Sequence, residues 1–131
     1  MTACGVWPAS RGLVAVLVDG AGRVCFTAAV ACTDSARWGL AQRLAAVGAD
    51  LVVDESHLPA DPIAFAARRA GVRVWVAGPP LVGSLRAVTG AARGPPKSSA
   101  MLLARLPAVP WLRTHLRRLE PEDDPRQVPL L

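Results

Sequence analysis

Asp50-Leu51-Val52-Val53-Asp54-Glu55 constrains the fold of this chain more than any other stretch. Three consecutive aliphatic residues between two carboxylates are too few for a buried helix and suit a strand covered on both faces. Strands with two apolar faces belong to parallel sheets sandwiched by helices. Ligands of such sheets collect at the carboxyl ends of the strands, and Asp54 and Glu55 stand at that end. Successive strand side chains point to opposite faces, so only one of the two acids can enter a given crevice. The expected one is Asp54.

The flanking sequence supplies the other elements. Cys4-Gly5-Val6-Trp7 reads as a strand halted by Pro8, and Leu13 to Val18 as a second. Asp19-Gly20-Ala21-Gly22 is the turn into a third strand, Arg23 to Ala31. Thr33-Asp34-Ser35 offers a cap for a helix whose Leu40, Leu44 and Val47 share a face and which Gly48 closes. Beyond the strand Leu51 to Val53, Asp61 caps and Pro62 opens a second helix that Gly71 ends, and Val72 to Ala77 is a fifth strand. Gly78-Pro79-Pro80 launches a helix from about Leu81 to Val88, and residues 90–97 read as a loop. Ser98 or Ser99 caps a helix through Leu106, and Trp111 to Leu119 reads as a last, basic helix before a polar tail.

Three meandering strands followed by αβαβ crossovers describe an α/β domain. Its five-stranded mixed sheet carries helices on both faces, and its first, fourth and fifth strands run parallel. That is the ribonuclease H-like arrangement, expected over residues 1–106, with 107–131 as a C-terminal basic helix and acidic tail.

Composition bounds the class. At 131 residues the chain can bury a real core, and with two Phe and no Tyr that core must be Val, Leu and Ala. Three cysteines without a CxxC pair argue against a disulfide framework or a zinc site. No basic leader or long apolar run is visible, so the expected location is the cytoplasm and no membrane contact is expected. Charge is segregated: residues 62–119 hold ten cations and no acid. Such a block is an electrostatic footprint for a polyanion if its members share a face. Arg68, Arg69, Arg86, Arg93, Lys97, Arg113, Arg117 and Arg118 are the candidate nucleic-acid contacts.

Gly5-Val6-Trp7 through Asp19, then Leu51-Val52-Val53-Asp54, Pro62, Gly71, Gly78-Pro79 and Gly90, have the order and spacing of a known family. Over about residues 3–106 the chain resembles the N-terminal domain of the DEDD transposases of bacterial insertion sequences, relatives in fold of the Holliday-junction resolvases. That resemblance implies a site in which four carboxylates hold two divalent metals that clamp the attacking and leaving oxygens of a phosphodiester. Matched position by position, the first-strand acid is replaced by Trp7, the strand-end acid is Asp54, and the late acid pair falls on Pro96 and Ser99. Three of the four ligands are therefore missing.

The expectation is a catalytically degenerate domain, without cofactor, in which Asp54 is a remnant. It would act in nucleic-acid binding through residues 68–118, or as an interaction module. With the family's second catalytic domain not represented in the 131 residues, strand transfer is not expected. An alternative is a rearranged magnesium-dependent nuclease in which Asp54 works with Glu55 and His57, since imidazole can ligate a metal or accept a proton. A further alternative is a structural partner domain that pairs with itself or a neighbour through 107–119, anchored by Trp111 and Leu112.

Overall fold

A computed structural model of the chain describes residues 2–59, 61–78, 95–120 and 123. Six strands form one sheet: β1 (Ala3–Ala9), β2 (Gly12–Val18), β3 (Val24–Ala31), β4 (Asp50–Asp54), β5 (Val74–Ala77) and β6 (Leu116–Arg118), in the order β3-β2-β1-β4-β5-β6. The first three form an antiparallel meander. β1 pairs with β4, and β4 with β5, in parallel. The expected mixed sheet with parallel strands one, four and five is present.

Helices cover both faces, and the strand residues divide between them by parity. On one face, Val6, Leu51, Val53, Val74 and Val76 pack with Leu40, Ala41 and Leu44 of helix α1 (Asp34–Val47) and Ile63, Phe65 and Ala67 of α2 (Ile63–Arg69). On the other, Val52 and Ala77 pack with Leu103, and Val16 and Val18 with Ala100 and Ala104, all three of these on α3 (Pro96–Arg105). Gly5 permits this second layer to close, because a Cβ there would run into the Ala100 carbonyl oxygen. The apolar run of β4 is thus buried on both sides, the condition its sequence implied.

Caps follow the sequence closely. Thr33 accepts a hydrogen bond from the Ala36 N–H at 3.1 Å, and Gly48 ends α1 with φ 66°, in the left-handed region glycine tolerates. Asp61 accepts the Ile63 N–H at 2.9 Å and binds Arg37 of α1 through both oxygens, at 3.1 and 3.4 Å. With side-chain exposures of 11% and 10%, Arg37 and Asp61 form a shielded strap between the two helices, where the sequence pointed only to a cap.

Several expectations are corrected. Pro8 does not end β1, which continues to Ala9 against β2. Pairing with β4 extends only to Gly5 opposite Val52, so Pro8, which has no N–H to give, lies where one side of the strand has no described partner. Val47 is 60% exposed and is not on the buried face of α1. Helix α3 begins at Pro96, ahead of Ser98 and Ser99, because proline's fixed φ suits the first helical turn.

The largest correction concerns the helix expected over Trp111 to Leu119. The segment is one helical turn, α4 (Pro110–Arg113), followed by β6, which pairs antiparallel with β5 as a sixth strand. The sheet edge left open by β5 accepts Leu116–Arg118, and edge hydrogen bonds outweigh the helical preference of a short segment. The helix expected at 81–88 lies outside the described residues.

Candidate functional site

Asp54 closes β4 and is almost fully buried at 3% exposure. Its Oδ1 accepts from the Ser56 N–H at 2.9 Å and the Ser56 hydroxyl at 2.6 Å, capping the 3₁₀ turn Glu55–His57. A buried carboxylate must be hydrogen-bonded, and this one satisfies that need within its own turn. The same turn sends Glu55 outward, where it is exposed and meets Arg117 at 3.7 Å.

Trp7 reaches the same corner from β1. Gly5 is paired with Val52, and two residues further along each strand stand Trp7 and Asp54, on the face covered by α3. The half-buried indole packs against the cluster of Val16 and Val18 with Ala100 and Ala104 of α3 and meets His57 edge-on, with ring centroids 4.6 Å apart and planes at 88°. On the other side of the sheet, under α2, a cavity lined by Val6, Val53, Asp54, His57 and Asp61 holds about 10 Å³, room for one water at most. Ser99 is buried on α3, and Pro96 forms that helix's first turn.

A pair of divalent metals is the group implied by this family of folds, and the residues present do not fit it. Hard cations need several oxygen ligands, yet indole and proline offer none, Ser99 is neutral, and one Asp54 oxygen is already engaged twice by Ser56. Among the described residues no three His, Cys, Asp or Glu side chains are grouped to hold an ion. Glu55, His57 and Asp54, close together in sequence, are sent respectively to β6, to the Trp7 edge and into the turn cap.

The basic candidates are dispersed. Lys97 and Arg113 are exposed on α3 and α4. Arg117 is ion-paired with Asp123 at 2.8 Å, a hydrogen bond that raises the guanidinium's pKa and holds the Asp123 carboxyl below its usual range. Arg69 is exposed beside Arg68 on α2. Arg68 and Arg118 do converge, and with them Arg73, which is not among the candidates the sequence suggests. Together they line a cleft of about 450 Å³ at the amino ends of β4 and β5. Arg86 and Arg93 lie outside the described residues. The Trp111-Leu112 pair is split, with Leu112 buried and Trp111 66% exposed.

Strand order, strand directions and the two helical layers define a ribonuclease H-like fold. Among solved structures, the chain resembles T. thermophilus RuvC in complex with Holliday junction substrate, with a TM-score of 0.59 and 19% identity over 91% of this chain and 99% of that one. The likeness is to a resolvase and, at this identity, is one of fold. No protein-family model and no curated protein matches the sequence. Among the described residues no helix is long and apolar enough to cross a membrane.

Proposed function

We propose that this chain is a nucleic-acid-binding domain built on a resolvase and transposase scaffold and lacking a nuclease centre. The observation that carries the reading is the side-by-side placement of Trp7 and Asp54 at the ends of β1 and β4. The position that should carry a metal-binding acid carries an indole packed between α3 and His57. Asp54 persists because it caps a turn, a structural role that survives without metal. The fold shared with a junction-bound resolvase and the excess of arginine in residues 62–119 support affinity for a polyanion.

The test is an assay of four-way junction, duplex and single-stranded DNA with excess magnesium or manganese, read both for cleavage and for binding at several salt concentrations. Salt-sensitive binding without metal-dependent cleavage is the expected outcome. Cleavage abolished by Asp54→Asn would establish the nuclease alternative instead. A second reading, self-association through residues 107–119, is favoured by the exposure of Trp111. Sedimentation of wild type against Trp111→Ser decides it.

A further inference from the structure

We propose that the cleft lined by Arg68, Arg73 and Arg118 is the phosphate-binding surface of this domain, at the end of the sheet opposite the Asp54 corner. This inference rests on the nucleic-acid reading above and gives it a location.

The cleft is assembled from three separate elements. Arg68 comes from the last turn of α2, Arg73 from the residue before β5, and Arg118 from the end of β6. Because β6 runs antiparallel to β5, with Trp75 opposite Arg118, its final residue lands at the amino end of β5 beside Arg73. Asp50 marks the same end of β4, one strand length from Asp54.

The walls are small. Ala45, Gly48, Ala49 and Gly71 leave about 450 Å³ of space, and a Cβ added at either glycine would meet no atom within 4 Å. A volume of that size lies in the range of small-ligand pockets, about 300–1,000 Å³, ample for a phosphodiester unit.

The charge in the cleft is only partly compensated among the described residues. Neither Arg68 nor Arg73 has a carboxylate partner among the described residues, and both are exposed. Arg118 lies over the Trp75 ring, with its guanidinium carbon 5.4 Å from the centroid, so the aromatic plane restrains it without neutralising it. Asp50 contributes one negative charge, but its Oδ2 accepts the Trp75 indole N–H at 2.9 Å. Trp75 thus orders the acid on one side and the arginine on the other. Three guanidiniums against one engaged carboxylate make a net positive cleft whose planar donor forks match phosphate oxygens. The C-terminal ends of α1 and α2 also face this region and attract cations, which accounts for an arginine in the last turn of α2. It does not account for Arg118, which is carried in on the edge strand.

The test compares wild type with Arg68→Gln/Arg73→Gln/Arg118→Gln and, as a control, with Arg11→Gln/Arg23→Gln, two exposed arginines outside residues 62–119. Anisotropy of labelled single-stranded and duplex DNA is measured at several salt concentrations, and thermal melts check folding. The triple variant should bind at least about tenfold more weakly at low salt, and its log–log salt slope should flatten by up to about 0.9 for each phosphate it no longer neutralises. The control should bind nearly as wild type does. If the triple variant destabilises the fold, Arg68→Gln/Arg73→Gln, which leaves the Trp75 contact intact, carries the comparison. Wild-type affinity in a folded cleft variant would overturn the inference while leaving the nucleic-acid reading standing. Absence of DNA binding by wild type even at low salt would overturn both.

Discussion

The indole of Trp7 stands edge-on to the imidazole of His57, 4.6 Å between centroids, at the carboxyl end of the central strands. This contact closes the corner beside Asp54. It joins β1 to the turn after β4 through aromatic packing.

Replacing Trp7 with Asp tests that packing directly. The change removes a half-buried aromatic side chain and sets a second carboxylate beside Asp54, so poorer packing and like-charge repulsion act together. Stability should fall by about 2–3 kcal/mol, below the range for fully buried aromatics because the indole is only half covered. Magnesium should restore little of it, since Pro96 and Ser99 supply no charge. Thermal melts with and without magnesium check both points, and a large magnesium-dependent rise in Tm would mean that a metal site can still form.

Gly5→Ala probes the second layer. The added methyl meets the Ala100 carbonyl, a backbone atom that cannot swing away, so α3 must shift from β1 and β2. Overpacking of this kind costs about 1–3 kcal/mol or more, and chemical denaturation should report it. Unchanged stability would mean that α3 does not sit firmly on the sheet.

The Arg37–Asp61 strap separates charge from capping. Asp61→Asn retains an acceptor for the Ile63 N–H but leaves the shielded Arg37 with only the exposed Asp34, at 3.5 Å, as a counter-charge, which should cost about 2–4 kcal/mol, less than a fully buried pair left with no counter-ion. Asp61→Ala also removes the cap and should cost about 1 kcal/mol more. Urea unfolding of the two variants should rank them in that order, and equal stabilities would assign the whole effect to the ion pair.

Thiol chemistry reports the core. Burial pushes the Cys4 thiol up to about 12, whereas Cys25 and Cys32 are exposed on or beside β3. Because the thiolate is the reacting form, a thiol reagent at about pH 8 should label Cys25 and Cys32 quickly and Cys4 only on unfolding. The raised value in the folded state means that the unfolded chain loses this proton first as pH rises. Stability is accordingly unaffected by this group below about pH 9 and falls between there and about pH 12. Rapid labelling of Cys4 in the native protein would show that β1 is not at the centre of the sheet.

Local sequence determined most of the scaffold, because its signals act over a few residues. Leu51-Val52-Val53 needed only its two apolar faces to become a central strand, Thr33 and Gly48 bounded α1 through their own hydrogen-bonding and backbone preferences, and Asp19-Gly20-Ala21-Gly22 turned β2 into β3. The position of Asp54 at a strand end was legible for the same reason, as was the absence of an acid at Trp7.

Tertiary structure decided what depends on neighbours distant in the chain. Leu116–Arg118 became a strand because β5 presented an open edge, something no property of those three residues announces. Arg73 and Arg118, 45 positions apart, face one cleft only because β6 runs antiparallel to β5. Arg117, next in sequence to Arg118, is turned to Glu55 and Asp123 instead. A run of arginines fixes net charge, but alternation along a strand sends its members to opposite sides, so the surface on which charge accumulates is set by the sheet.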